Sequence, residues 1–443
     1  MKKRTMEKVL PLLAVLSTAC TAAMDTSIQE SAEPVQESTE TSTETPAAEE
    51  NTAVKTETSA SAQLIAAEIF TERDLQQSAD TSNAVRYTAN DNDTLTITEE
   101  GVYVLSGSAE NYTVRVEAED ADKVQLVLDG LNVTNTDAPV IYILSADKVF
   151  ITTTSTDNTL TVTGEFAENA EEDPDAVIFA KDDIVLNGTG TLNISSSENG
   201  ISGKDDLKIT GGTYVINSED DAIEANDSVA IADGSITIVT SEDGIHSEYD
   251  DDDSVGYVYI GGGNLSIEAG DDGIHATTIL QIDDGTLKIN AAEALEGTYI
   301  QINGGDITIN AGDDGINAAH KSTLYTPTLE INGGNLDITI GAGDTDALDS
   351  NGNLIINGGY INISAQSAFD YDGQGSLNGG TVIVNGTEIT SLSNSMMGGM
   401  EAMNGQMPGG MQGEMPEGGM QGQMPGGQFP GGEMQGPRGP HGN

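Results

Sequence analysis

The stretches "AGDDGIHA" at 269–276 and "AGDDGINA" at 311–318 are nearly identical. Two variants of the same pattern are "SEDDAIEA" at 218–225 and "TSEDGIHS" at 240–247. Two adjacent acids, a small residue and an isoleucine therefore recur along the chain. The steps between the second acids are mostly 21 or 22 residues, and two longer steps carry the insertions "EYDDDDSVG" and "HKSTLYTPT". A regular period of this length is typical of a solenoid built from stacked repeats.

Each repeat contains three short alternating runs that are rich in Ile, Val and Thr, and "NGG" turns recur between them. Such runs are typical of strands, and no ten-residue segment shows the periodicity of a helix. The sequence therefore predicts an all-β fold, a parallel β-helix with three short strands per rung of about 22 residues. The apolar residue after each acid pair is predicted to fill the interior as a ladder: Ile201, Ile223, Ile245, Ile274, Leu295, Ile316, Leu348 and Phe369.

The regions that flank the repeats differ in composition. Residues 1–20 join a basic start to a short apolar run, which indicates a secretion signal too short to span a bilayer. Residues 21–62 are rich in Ser, Thr and Glu and predict a disordered linker. We expect 63–94 to cap the first rung and 95–395 to form the β-helix. The Met-, Gly- and Pro-rich residues 396–443 predict a disordered tail.

Cys20, the single cysteine of the chain, follows Ser17, Thr18 and Ala19. Small residues that end in Cys are typical of a bacterial lipoprotein signal, in which the cysteine is lipidated. We therefore expect a secreted protein anchored to the cell surface through Cys20. The alternative is an ordinary cleaved signal with an incidental cysteine.

The charge balance restricts the partners. The 443 residues include 73 Asp and Glu against 16 Lys and Arg, which gives a formal net charge of −57. Nucleic acids and anionic membrane surfaces require basic side chains, so neither is an expected partner, and the membrane is reached only through the lipid. Cations are the favoured partners, and we expect a monomer. Trp is absent, and aromatic residues make up only 4% of the chain, which suits stacked aliphatic ladders.

The repeated acids indicate a metal site. In a β-helix, equivalent positions of successive rungs lie about 4.8 Å apart, where two unit charges repel by roughly 1 kcal/mol in water and by up to about 3.5 kcal/mol at an effective dielectric constant of 20. Calcium, which takes six to eight oxygen ligands, would relieve this repulsion. The alternative is that Asp, Asn and Gly serve here only as turn formers. The predicted calcium ligands are Asp220, Asp221, Glu242, Asp243, Asp271, Asp272, Glu293, Asp313, Asp314 and Asp346.

The residue after each interior Ile or Leu is predicted to face outward, because side chains alternate along a strand. These residues would form a polar strip beside the acids. We predict that Glu224, His246, His275 and Asn317 contact carbohydrate. The two histidines are also possible metal ligands, and the alternative is a solvated strip without a ligand.

Several motifs, in order along the chain, resemble a family of bacterial surface proteins described as carbohydrate-binding domain-containing. They are "EEGVYVLSG", "VQLVLDGLNVTN", "AVIFAKDDIVLNGTGTLNI", "GISGKDDLKITGGTYVI" and "GGNLSIEAGDDGIHA". The resemblance implies a right-handed parallel β-helix similar to that of pectate lyases, bound calcium, and binding of cellulose or of acidic polysaccharides such as polygalacturonate. Calcium on the acids would then bridge to sugar carboxylates.

Three functions remain open from the sequence. The first is non-catalytic, calcium-dependent polysaccharide binding, which the absence of Trp directs toward acidic glycans, with Tyr257, Tyr259, Tyr299 and Tyr325 as candidates for sugar stacking. The second is a pectate lyase-like enzyme, in which Lys204 or Lys181 would be the base. The third is a structural scaffold in which calcium only stabilises the solenoid.

Overall fold

The structure is a computed structural model, and it describes residues 62–167, 172–249, 251–341 and 345–394. The predicted signal with Cys20, the linker up to residue 61 and the tail 396–443 lie outside the described residues.

The described residues form one short helix and 34 strands. The elements up to residue 162 are α1 (Ala66–Ile69), β1 (Val85–Thr88), β2 (Asp93–Ile97), β3 (Gly101–Glu110), β4 (Tyr112–Glu117), β5 (Lys123–Asn135), β6 (Ile141–Ser145), β7 (Lys148–Thr153) and β8 (Asp157–Val162). The strands of the next part are β9 (Ala176–Ala180), β10 (Ile184–Gly188), β11 (Thr191–Ser195), β12 (Asn199–Gly203), β13 (Asp206–Ile209), β14 (Thr213–Asn217), β15 (Ile223–Ala225), β16 (Ser228–Ile231), β17 (Ser235–Val239), β18 (Ile245–Ser247), β19 (Tyr257–Ile260) and β20 (Asn264–Glu268). The remaining strands are β21 (Asp272–Ile282), β22 (Thr286–Ala291), β23 (Glu293–Ile302), β24 (Asp306–Ala311), β25 (Ile316–Ala318), β26 (Thr328–Ile331), β27 (Asn335–Ile340), β28 (Asp346–Ser350), β29 (Asn353–Ile356), β30 (Tyr360–Ser364), β31 (Ser367–Phe369), β32 (Gly375–Leu377), β33 (Thr381–Val384) and β34 (Thr387–Ile389).

The strands of one repeat pair in parallel with the equivalent strands of the next repeat. Strand β12 pairs with β15, β15 with β18, and β18 with β21. The second strand of each repeat stacks in the same way from β10 through β13 and β16 to β19, and the third from β11 through β14 and β17 to β20. Among the described strands, antiparallel pairing is confined to β33 and β34. The fold is all-β with a long, parallel-dominated sheet and almost no helix, which confirms the predicted fold class at this level.

The interior is filled by aliphatic ladders. The predicted series from Ile201 to Phe369 lies in unbroken register from β12 to β31. Each of its eight side chains is at most 2% exposed. Full burial of such a side chain contributes roughly 1.5–3 kcal/mol, and stacked Ile and Leu side chains fill most of the narrow interior.

The "NGG" turns form a second ladder, made of asparagine side chains. The Nδ2 of Asn332 donates to Oδ1 of Asn303 at 2.9 Å, Asn357 donates to Asn332 at 2.8 Å, and Asn378 donates to Asn357 at 2.9 Å. The last glycine of these turns has a positive φ, which is 87° at Gly334. The turn backbones therefore stack as closely as the strands do.

We expect Gly334→Ala to lower the free energy of unfolding by about 2–3 kcal/mol, because the new Cβ combines an unfavourable φ with backbone crowding. That Cβ would lie 2.9 Å from the backbone carbonyl oxygen of Gly304. The matched control is Gly386→Ala, where φ is 78° but nothing lies within 4 Å of the Cβ. Urea unfolding should show the larger loss for Gly334→Ala, and equal losses would contradict the stacking interpretation.

The N-terminal segment follows the outside of the second strand column. The Leu64 N–H donates to Oε1 of Gln281 at 2.7 Å, Phe70 packs on Tyr259 with ring centroids 6.0 Å apart, and Gln77 donates to the Thr210 carbonyl at 2.9 Å. These contacts differ from the predicted cap over the first rung, which β1 and β2 themselves begin. The segment lies here because the outward-facing side chain of Gln281 forms hydrogen bonds with the backbone of Leu64 and the ring of Tyr259 packs against Phe70. No helix in the described ranges has the length and hydropathy needed to cross a membrane.

Candidate functional site

The repeated acids lie one above another in what we call the acid column, which comprises positions 199, 221, 243, 272, 293, 314, 346 and 367. Asp272 is the register partner of Glu293, and Asp346 is the register partner of Ser367. Backbone hydrogen bonds connect the other positions, as from Ala222 N–H to the Asp243 carbonyl at 3.0 Å. Carboxylates distant in sequence are therefore neighbours along one edge of the stack.

One oxygen of several column carboxylates stabilises the next rung. The Oδ1 of Asp221 accepts the N–H of Asp243 at 2.9 Å, and the Oδ1 of Asp243 accepts the N–H of Asp272 at 2.8 Å. Further along, the Oδ1 of Asp314 accepts the N–H of Asp346 at 2.7 Å. These bonds give the acids a structural role, and they leave the second oxygen of Asp221 and of Asp243 directed toward the histidines.

A cleft of about 650 Å³ opens over the middle of the acid column. Eight of its twelve lining residues are acidic, and seven of the ten predicted calcium ligands are among them. The lining residues are Asn199, Asp220, Asp221, Glu242, Asp243, His246, Asp271, Asp272, His275, Glu293, Glu296 and Lys321.

The two insertions flank this cleft. The first, residues 248–256, brings the Glu248 carboxylate to 3.4 Å from Nε2 of His275. The second, residues 320–328, brings Nζ of Lys321 to 2.7 Å from Oε2 of Glu296. They touch each other where the Thr323 N–H donates to Oδ2 of Asp253 at 2.9 Å. The predicted outward position of His275 is consequently only 7% exposed.

His246 and His275, which we call the His pair, are register partners on β18 and β21. Their rings stack with centroids 4.7 Å apart and an interplanar angle of 26°. The Nδ1 atoms converge on Oδ2 of Asp243, at 3.4 Å from His246 and 3.9 Å from His275. Nδ1 of His246 also lies 2.9 Å from Oδ2 of Asp221, and Nδ1 of His275 lies 3.2 Å from Oδ2 of Asp272.

Two groups of side chains in the cleft have the spacing of metal ligands. They are Asp243, His246 and His275, and Asp272, His275 and Glu296, and within each group the ligand atoms lie within 4.8 Å of one another. His275 belongs to both groups. The described residues therefore offer carboxylate oxygens and imidazole nitrogens to a cation at the centre of the cleft.

Burial and mutual repulsion raise the pKa values of two carboxyl groups that line the cleft. Burial first, and then the charge of Asp272, raise the pKa of Asp243 to about 7. Burial and the neighbouring charges of Glu296 and Asp272 likewise raise the pKa of Glu293 to about 7. Burial lowers the pKa of His246, but its contacts with Asp221 and Glu248 outweigh this and raise it to about 10. Deprotonation of these carboxyl groups is therefore unfavourable in the empty site, and a divalent cation in the cleft would favour it.

At the far end of the acid column, the candidate ligand atoms of the described residues are oxygens. Asp313, Asp314 and Asp346 lie beyond the cleft, and Asn317 donates to Oε2 of Glu293 at 3.0 Å. The Oδ1 of Asn317 is buried and has no hydrogen-bond partner among the described residues. Burial and the charges of Asp314 and other nearby acids raise the pKa of Asp349 to about 7. Carboxylates and an amide oxygen of this kind fit the ligand preference of calcium.

Glu224 and the two lysines lie outside the cleft lining. Glu224 accepts the Ser202 hydroxyl at 2.9 Å and pairs with Nζ of Lys204 at 3.4 Å. Lys204 also lies 3.8 Å from Asp175, and Lys181 pairs with Glu172 at 2.7 Å. Both lysines therefore form ion pairs away from the carboxylates that would hold the metal.

The tyrosines divide into buried and accessible ones. Tyr259 is 2% exposed beneath Phe70 and donates to Asp283 at 2.8 Å, so it is not available to stack on a sugar. Tyr299 donates to Glu330 at 2.6 Å and makes an edge contact with Tyr325, with ring centroids 6.2 Å apart. Tyr257 is half-buried.

The sequence interpretation did not identify Glu248 or Lys321 as site residues. Both stand in the insertions, which interrupt the repeat and therefore have no equivalent position from which a location could be inferred. One signal was available in the sequence. Each insertion begins one short strand after an acid–Ile motif, at 242–245 and at 313–316, and so starts beside the acid column.

The fold and the site together define an all-β protein of parallel-stacked strands with an acidic cleft over one strand column. The chain belongs to the carbohydrate-binding domain-containing protein family, whose sequence model matches residues 91–298 and 293–403. This confirms the resemblance found in the motifs.

The chain is also similar to a relative from a bacterium and to a solved structure. A carbohydrate-binding domain-containing protein of Acetivibrio thermocellus is 41% identical over 120 residues, which are 26% of this chain and 42% of that protein. The chain therefore matches less than half the length of that relative. A solved structure, described as the polysaccharide lyase-like protein from C. thermocellum in a gadolinium derivative, shares 31% identity and has a TM-score of 0.44. That comparison covers 50% of this chain and 92% of the solved one.

Proposed function

We propose that this protein binds an acidic polysaccharide, polygalacturonate-like in charge, through calcium ions held by the acid column, and that it does not cleave the polymer. We further propose that the solenoid is a right-handed β-helix with three strands in each rung of about 22 residues. Family membership supports carbohydrate as the ligand. The observation that carries the calcium role is the register, which brings carboxylates of successive rungs together in one cleft.

Charge favours a calcium bridge over direct contact. Lys321 is the single Lys or Arg among the described residues that line the cleft, and it is already paired with Glu296. A polyuronate would therefore be repelled by the bare cleft. Calcium accepts oxygens from both partners at once, so ions on the protein carboxylates can also bind the carboxylates of the sugar.

The geometry offers little support for the lyase alternative. A base that removes the proton α to a carboxylate must be neutral when it acts. Burial lowers the pKa of Lys321, but its hydrogen bond to Glu296 and the surrounding carboxylates outweigh this and raise it, so this lysine stays charged. Lys204 and Lys181 are ion-paired outside the cleft.

We expect calcium-dependent binding to polygalacturonate, and none to its methyl-esterified form, which has the same backbone without the charges. Calorimetry or co-sedimentation with calcium, and then with a chelator, measures this directly. Binding that survives the chelator, or that is equal for the esterified polymer, would contradict the bridge.

The same samples decide between the remaining alternatives. Calcium that raises the melting temperature without any glycan binding would favour a structural scaffold. An ultraviolet signal of unsaturated uronate would favour the lyase.

We place this binding at the outer cell surface, with the chain anchored through a lipid on Cys20. The basic start, the short apolar run and the small residues before Cys20 support this location. A Cys20→Ser variant should then leave the membrane fraction, and retention there would contradict the anchor.

A further inference from the structure

The His pair has a donor chemistry that calcium does not use. Calcium is bound by oxygen ligands, whereas imidazole nitrogen suits zinc, copper, nickel and iron. The His pair sits where two sets of buried carboxylates meet, between Asp243 on one side and Asp272 with Glu296 on the other. Asp243, Asp272, His275 and Glu296 are each only 7% exposed.

A second observation separates this place from an ordinary cluster of acids. The Nε2 atoms of both histidines are buried and make no hydrogen bond within the described part of the chain. Their nearest acceptor is Oε2 of Glu248, at 3.5 Å from His246 and 3.4 Å from His275. These unpaired atoms face Glu248, whereas the Nδ1 atoms of the same rings both face Oδ2 of Asp243. The stacked rings therefore present two imidazole nitrogens to one carboxylate oxygen.

We infer that the His pair, with Asp243, binds one transition-metal ion of the Zn²⁺ type at the centre of the cleft. The Oδ2 of Asp243 lies 3.4 Å from Nδ1 of His246 and 3.9 Å from Nδ1 of His275. The edge of a tetrahedron with zinc–ligand bonds of about 2.0–2.1 Å is about 3.3–3.4 Å, which is close to these two distances. The two imidazoles and Asp243 would supply three of the four ligands, and all three ligand atoms lie within 4.8 Å of one another. Distances of this size also accommodate calcium, and it is the imidazole donors that select the ion.

The surroundings fit the same assignment. A histidine that ligates through one nitrogen ordinarily donates its other N–H to a carboxylate or carbonyl group. Glu248 lies on that side of both rings and is 38% exposed, so its carboxylate can move the short distance to a hydrogen bond. The oxygen-only end of the column, with Asp314, Asp349 and Asn317, remains for calcium. This assignment is independent of whether the protein binds a glycan.

The test is calorimetric titration of the full chain, freed of metal by chelation and dialysis, with Zn²⁺ in the presence of excess Ca²⁺. We expect one Zn²⁺ per chain at the cleft, with affinity lowered at least tenfold in His246→Gln and in His275→Gln. The matched control is His320→Gln, which removes an exposed histidine of the second insertion and should leave the affinity unchanged. Zinc binding that is equal in His275→Gln and His320→Gln, or that excess Ca²⁺ abolishes, would overturn the assignment.

A measurement on the wild-type chain keeps the inference testable if either cleft variant fails to fold. Stoichiometric Zn²⁺ should shift the imidazole nuclear magnetic resonance signals of two of the four histidines. The signal that is missing from the spectrum of the His320→Gln variant belongs to His320, the control residue. Imidazole signals that Zn²⁺ leaves unmoved would overturn the inference.

Discussion

At about pH 8 the metal-free protein should melt several degrees lower than at about pH 5.5, and saturating calcium should reverse that order. Four carboxyl groups have pKa values raised to about 7, in each case first by burial and then by neighbouring acids. They are Asp205, Asp243, Glu293 and Asp349. In the unfolded chain such groups titrate near 4.

The sign follows from proton linkage. Between about pH 4 and pH 7 the folded state binds more protons than the unfolded state, so stability falls as the pH rises through the folded pKa. His246 acts in the same direction, because its folded pKa of about 10 exceeds the unfolded value of about 6.5. Its stabilisation is complete below the unfolded pKa and is lost as the pH rises toward 10. Since the groups are partly solvated, we expect a total change of about 5 °C, well below the sum of their isolated shifts.

Calcium binds the deprotonated carboxylates and the folded state, so it should stabilise most where protons compete least. At a free concentration of about 100 times the dissociation constant, one site adds about 2.7 kcal/mol. Melting curves at both pH values, in chelator, in calcium and in sodium chloride of matched ionic strength, measure the reversal. A metal-free melting temperature that rises from pH 5.5 to pH 8 would contradict the assignment of repelling, proton-holding carboxylates.

The ladder residues could be predicted because the stack has a single register. Once the acid–Ile motif is aligned, Ile201 and Ile274 must occupy the same interior line, since a slip by one residue would turn every apolar side chain outward. The acids two positions before them follow for the same reason. The coarse fold and the acid column were therefore accessible from the spacing alone.

The burial of His275 in the cleft could not be predicted. The outward position of His275 depends on alternation, but its burial depends on insertions whose path no periodicity specifies. The hydrogen bond from Asp272 N–H to Oδ1 of Asp243 could not be predicted either, because it joins a side chain to the backbone of another rung. Likewise, the path of 62–84 depends on single contacts such as Phe70 with Tyr259.

Asp349→Asn should change metal-free stability and calcium affinity in opposite directions. Asp349 on β28 is the register partner of Asn317 on β25. Burial and the charges of Asp314 and Asp370 raise its pKa to about 7. Asparagine keeps the shape and removes the charge, so the metal-free variant should melt higher than wild type at about pH 8, where Asp349 is ionised. The same change removes a charged oxygen from the site, and we expect calcium affinity to fall at least tenfold, or about 1.4 kcal/mol.

The matched control is Asp157→Asn, which removes one exposed carboxylate from β8 and should leave both quantities within error of wild type. Calorimetry with calcium and melting in chelator measure the two effects on the same samples. A metal-free melting temperature lowered by Asp349→Asn, together with an unchanged calcium affinity, would mean that this carboxylate serves the fold and holds no ion. A higher metal-free melting temperature together with a lower calcium affinity is the result that charge repulsion in the acid column predicts. The repulsion that destabilises the empty site is the same interaction that a bound cation relieves.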